Sequence, residues 1–268
     1  MHTPHHSSAG WLPVDAIPIA IAILAIGAYA TGVVISVRRG RGWPPHRMAL
    51  FSLGVAFGAA SVVGPLADAA HVDFVMHMWT HVLGGMIAPL LLVLAAPVTL
   101  ALRSLSVTPA RRLTRALRSG PARFISHPIT ALVLSAGGLW MIYLSPVQHS
   151  MQTNPLVHVI VQAHLLLAGF LFTAAIIGID PHPHPPRRVM SAVALVIALA
   201  SHAILAKYLY ANPPATVSLA QARDGAQLMY YLGAWIEAAV VVVFCAQWYR
   251  SAGRRIRPSP HSTSAGVA

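Results

Sequence analysis

Runs of about twenty apolar residues recur along this 268-residue chain, and they constrain its fold more than any other feature. A helix of that length spans the hydrocarbon of a bilayer. Every backbone N–H and C=O must be paired inside lipid, so helical crossings follow directly from such runs. We place spans at roughly 14–37, 48–69, 74–102, 127–145, 155–179, 189–210 and 225–249. Composition agrees: 56% of residues are hydrophobic and only 9% charged, against roughly 25% charged in a soluble domain. The expected fold is an all-α membrane protein, a bundle of seven transmembrane helices over residues 14–250, between a His-rich tail (1–13) and a polar, disordered tail (251–268).

Charge gives the orientation. The net charge of +12 would suggest nucleic acid in a soluble protein, but the basic residues sit between the apolar runs and act as topology signals. Sixteen of the eighteen, from Arg38 to Arg257, fall in alternate loops, and only Lys207 and Arg223 fall on the other side. This places the N-terminus outside and the C-terminus in the cytoplasm of a multi-pass membrane protein. The first span is followed, not preceded, by arginines, which is the polarity of an uncleaved anchor. In the third loop, Thr108-Pro109 reads as a helix start and Gly120 as a stop. The segment is either an amphipathic helix on anionic lipid or a solvated loop. The single cysteine, Cys245, excludes an internal disulfide and any paired-cysteine metal site.

Seven of the fifteen histidines map to outer loops or outer half-spans: His71, His77, His81, His149, His158, His164 and His202. At 1.5 Å rise per residue, His81, His164 and His202 lie roughly 10–13 Å below the outer ends of their spans, and His77 and His158 roughly 5 Å below. His77 and His81 are one turn apart on a shared helix face, whereas His158 and His164 diverge by about 120° around theirs. Ionisable groups at such depth mark a site or path, or else tie helices together by hydrogen bonds. Two matched layers favour a metal or cofactor. Imidazoles with nearby methionines (Met76, Met78, Met151, Met229) and no thiolate suit copper, the thioether favouring Cu(I); methionine in an apolar helix is also ordinary packing. Asp68, three residues before His71, either orients that ring or caps the second span. Glu237, near the centre of the last span, with Gln227 and Asp224 above it, either moves a proton or metal or bonds to another helix. No G-x-S-x-G elbow, Walker loop or H-E-x-x-H occurs, so hydrolase or NTPase chemistry has no support and no enzyme activity is expected.

These residues resemble a known family. His77-Met78-Trp79-Thr80-His81, then Ala88-Pro89, then Ala96-Pro97-Val98-Thr99-Leu100-Ala101-Leu102-Arg103 resemble the third-span signature of the bacterial CtaG family, assembly proteins for caa3-type cytochrome c oxidase. His158 and His164 before Ala168-Gly169, the Gly178-Ile179-Asp180-Pro181 loop, Ser201-His202-Ala203, and the spacing of Asp224 and Glu237 are similar too. Gly225, Ala226, Tyr230 and Thr173 depart from the family pattern. The resemblance implies a metallochaperone-like membrane protein that helps copper reach the oxidase. It implies His77, His81, His158, His164 and His202 as metal ligands, with Asp68, His71, Met78, Asp224 and Glu237 as possible helpers. Partners would be oxidase subunits, outer-face copper chaperones and the lipid bilayer, with no nucleic acid. A b-type haem protein held by two histidines and a copper or proton transporter using Glu237 are the alternatives.

Overall fold

The computed structural model describes residues 16–181, 186–214 and 217–256. His2, His5, His6, His182, His184 and His261, the tail 1–13 and the chain beyond 256 lie outside the described residues. Six helices are long and apolar enough to cross a membrane. They begin with α1 (Ala16–Arg38) and α2 (Pro45–Ala60), the latter continued past a kink by α3 (Pro65–Ala69). α4 (Phe74–Leu94), α10 (Pro155–Ile177), α11 (Arg188–Ala211) and α12 (Leu219–Ile256) complete the six. α12 runs past position 250, where the membrane domain was expected to end.

The expected fourth span is α8 (Pro128–Leu144), an apolar helix shorter than the other six. It still reaches as deep as its neighbours. Leu132 packs into a cluster with Val93, Ile177, Leu195 and Phe244. Leu139 and Ile142, two to three turns on, pack with Met78, Leu165, Leu205 and Met229. Among the described residues, six helices are thus long enough to cross where seven were expected, and α8 is a shorter apolar one.

The expected third span, 74–102, is interrupted. α4 stops at Leu94, Ala96 adopts left-handed φ and ψ of 54° and 58°, and α5 (Pro97–Ser104) starts anew. Pro97 cannot donate into the preceding turn and clashes with it, so the helix breaks there. The new N-terminus is capped by Asp180, whose carboxylate accepts from Val98 N (3.2 Å), Thr99 N (2.8 Å) and Thr99 Oγ1 (2.6 Å). Asp180 is held in reach by Gly178, which ends α10 in the left-handed conformation (φ 60°) that glycine adopts freely. A corner of Tyr29, Trp43 and Phe51 closes beside this break: Tyr29 Oη donates to Ala95 O at 2.8 Å and stacks on Phe51 at 4.0 Å.

Beyond it lie α6 (Val107–Leu117) and α7 (Gly120–Ile125). α6 is an amphipathic helix without a buried residue, and Gly120 opens α7 instead of ending a structured segment. Arg39, just past the end of α1, donates to the carbonyls of Arg103 and Leu105, and Arg103 lies over Trp43, so the first two arginine loops share one face. At the opposite end, α9 (Val147–Thr153) leads into α10, Lys207 lies over Tyr230, and Arg223 over Tyr210.

Candidate functional site

The histidines gather between α3, α4, α10, α11 and α12, at the end away from the arginine loops. Asp73 starts α4, its carboxylate accepting from Val75 N (2.7 Å) and Met76 N (3.0 Å), and Gln221 of α12 reaches the same carboxylate. From that cap, His77 and His81 follow four residues apart, and both are buried at under 5% exposure.

Two groups result. In the upper one, the rings of His71 and His158 are 4.9 Å apart, with His77 beside Phe74 and Tyr143. His71 Nδ1 lies 2.8 Å from Ala67 O, and His158 Nε2 lies 3.3 Å from Ser61 O. A carbonyl only accepts, so both nitrogens carry the proton. The other nitrogen of each ring then keeps its lone pair, and His71 Nε2 is buried with no partner. In the lower group, His81 and His202 have ring centres 6.1 Å apart, and His202 Nδ1 lies 3.0 Å from Glu237 Oε1. A carboxylate on Nδ1–H fixes the tautomer, leaving Nε2 as the basic nitrogen. That atom and both ring nitrogens of His81 are buried without a hydrogen-bond partner.

The lower pair opens on a cavity of about 100 Å³, lined also by Gly85, Met86, Thr173 and Ser201. Two π-helical turns border it, Val82–Ile87 in α4 and Val133–Gly137 in α8. Such one-residue insertions into α-helices recur at functional sites. Gly85 and Gly233 make the room for the rings. A Cβ on Gly85 would lie 3.2 Å from His81 Nδ1, and one on Gly233 only 2.5 Å from His202 Cε1.

The remaining sequence candidates separate from this column. His164 shares the depth of His81 but turns its Nε2 to Leu134 O of α8, at 3.2 Å, against Gly138. Asp68 is exposed, and the His71 ring takes the Ala67 carbonyl in its place. Asp224 is exposed on α12, outside both groups. Met78 is fully buried, its sulfur 3.5 Å from Tyr143 Oη. Glu237 makes the interhelical contact that was one of its two readings. Sequence reasoning missed Met86, Asp73 and the buried Gln162, whose side-chain nitrogen donates to Thr80 Oγ1 at 3.0 Å. The Gly84-Gly85 pair within an apolar run was the available signal for the first. Among the described residues no three His, Cys, Asp or Glu side chains converge tightly enough to close around one ion.

The family model of the cytochrome c oxidase caa3 assembly factor (Caa3_CtaG) matches residues 27–251, most of the chain. The chain belongs to this family. With its long apolar helices, this member of the family is a multi-pass protein of the bacterial plasma membrane. It is 41% identical over 171 residues to uncharacterized proteins of Mycobacterium bovis and Mycobacterium tuberculosis, covering 60% of this chain and 25% of each relative. An uncharacterized protein of Mycobacterium leprae is 36% identical over the same length. The matched region is thus about a quarter of the length of the curated relatives. No solved structure matches.

Proposed function

We propose that this assembly factor accepts a copper ion from the extracytoplasmic side, holds it between buried imidazoles, and passes it to cytochrome c oxidase. The observation that carries this reading is the set of unpartnered ring nitrogens on His71, His81 and His202. Each buried polar atom without a partner costs about 1–3 kcal/mol; of the four here one His81 nitrogen carries the ring proton, and the three lone pairs that remain favour an occupant that accepts them. The His81–His202 separation of 6.1 Å suits it. Two imidazoles on one ion, with bonds of about 2.0 Å, put their ring centres roughly 6 Å apart.

Copper fits this donor set better than zinc does. Structural zinc takes four ligands, whereas Cu(I) accepts two or three, including thioether. Few ligands at each level also suit cargo, since an ion held by two imidazoles exchanges readily to the next pair. The upper group, His71 with His158 and His77, would be the point of entry from a copper chaperone at the outer face. The lower pair would be the deeper station, and no covalent chemistry is required of the chain. The full topology belongs to the same proposal: α8 is a seventh crossing, which places the N-terminus outside and the arginine loops in the cytoplasm.

Two observations weigh against the alternatives. A haem needs a cavity of several hundred Å³, and the space beside His81 and His202 is about 100 Å³. Transport through the bilayer needs a route to the arginine face, and there the apolar cluster of Val93, Leu132, Ile177, Leu195, Val240 and Phe244 lies across it.

The test is anaerobic Cu(I) titration of the detergent-purified chain, with elemental analysis and a visible spectrum, for wild type and His81→Ala/His202→Ala. The wild type retains copper and shows no Soret band, and the double variant loses the tight site. Equal copper retention by the folded double variant refutes the assignment.

A further inference from the structure

We propose that the sulfur of Met86 is the third ligand of the lower site, completing with His81 and His202 a neutral two-nitrogen, one-sulfur set selective for monovalent copper. This inference rests on the copper reading above and names a donor which that reading lacks. Met86 lines the same cavity as His81, His202 and Glu237. Both side chains also close on Gly233: a Cβ built there would lie 2.5 Å from His202 Cε1 and 3.4 Å from the Met86 terminal methyl. The imidazole and the thioether therefore share the hollow left by one glycine.

The π turn explains how a residue five positions beyond His81 comes to face the same space. In an uninterrupted α-helix that residue lies about 140° around the axis, pointing away from the histidine. The Val82–Ile87 turn pairs backbone groups five residues apart, and so brings Met86 back over His81. Gly84 and Gly85 permit it. Gly84 packs against the Ser61 side chain and Gly85 against the His81 ring, where larger residues would fill the space.

The chemistry follows from charge and softness. Glu237 is engaged by His202 Nδ1, so it orients a ligand and is not itself one. The ion then meets only neutral donors in an apolar surround. Divalent copper or zinc would bury two positive charges with one compensating carboxylate, whereas a monovalent ion balances it. A thioether adds preference for the soft Cu(I) ion.

X-ray absorption at the copper edge tests this on full-length protein loaded anaerobically with Cu(I). Wild type should show two nitrogen scatterers and one sulfur. Met86→Leu, a volume-conserving change, should lose the sulfur and roughly tenfold in Cu(I) affinity, the scale of losing one supporting group at a metal site. Met78→Leu should retain both. Selenomethionine-labelled protein, which needs no substitution, should show a copper–selenium distance. Sulfur missing from wild type, or persisting in Met86→Leu, overturns the role of Met86 and leaves the histidine site standing. A wild type that retains no copper overturns the histidine site and this inference with it.

Discussion

Glu237 offers the sharpest perturbation because its two possible contributions, to stability and to metal binding, have opposite signs. Its Oε1 lies 3.0 Å from His202 Nδ1, and its side chain is 18% exposed. Glu237→Gln keeps the shape and still offers an oxygen to the Nδ1–H, so the tautomer survives and only the charge is lost. Glu237→Ala removes the acceptor as well and leaves Nδ1–H unpartnered. Groups that orient a metal-binding histidine typically contribute 10–100-fold in affinity, or about 1.4–2.8 kcal/mol. The conservative variant belongs near the lower end of that range and the truncation near the upper. Without metal, Glu237→Gln should melt at the same temperature as wild type or higher, since removing a carboxylate from a largely buried pair is often neutral or stabilising. The assay is competition for Cu(I) against a chromophoric chelator, with thermal melting of the metal-free protein alongside. Copper affinity unchanged in Glu237→Ala would refute the orienting role. Affinity and stability falling together in Glu237→Gln would show the contact to be structural only.

Other substitutions probe neighbouring parts of the argument. Gly233→Ala should force the His202 ring aside by about 1 Å, at a cost of roughly 1–3 kcal/mol as for other overpacked sites. Melting should show a net loss despite the better helix propensity of alanine, and copper titration should show weaker binding. His164→Ala should leave Cu(I) affinity within about twofold of wild type, because its ring nitrogen is committed to Leu134 O; the cost of about 1 kcal/mol for that bond should appear only in melting. Asp180→Ala should destabilise by about 1–2 kcal/mol, as loss of a helix cap does, again without an effect on copper affinity.

The chain's helices were largely legible because lipid leaves few options. Apolar length fixes where crossings lie, and the boundaries of α1, α10 and α11 fall close to the apolar runs. The errors have local causes. The break at Ala96 was hidden by a continuous apolar run, although Pro97 announced it; what stabilises the break is Asp180, more than eighty residues away in sequence. Gly120 read as a stop because glycine ends many helices, but Pro121 follows it, and proline in a first turn marks a start.

The histidine column shows a different boundary between what a sequence tells and what it hides. Counting residues from a membrane interface measures depth, and depth puts His81 and His202 in one layer. It puts His164 in that layer as well. The angle around each helix separates them: His158 faces the Ser61 carbonyl of α2's end, and His164, six residues on, faces α8. Angle can be read from spacing only while the helix keeps its period. Two of the five helices that border the lower cavity abandon it there, through the π turns at Val82–Ile87 and Val133–Gly137. Each inserted residue turns everything beyond it by about 100°, which is how Met86, five residues after His81, comes to line the same cavity. The segment where periodic reasoning fails is thus the segment that builds the deeper site, as expected where local regularity gives way to function.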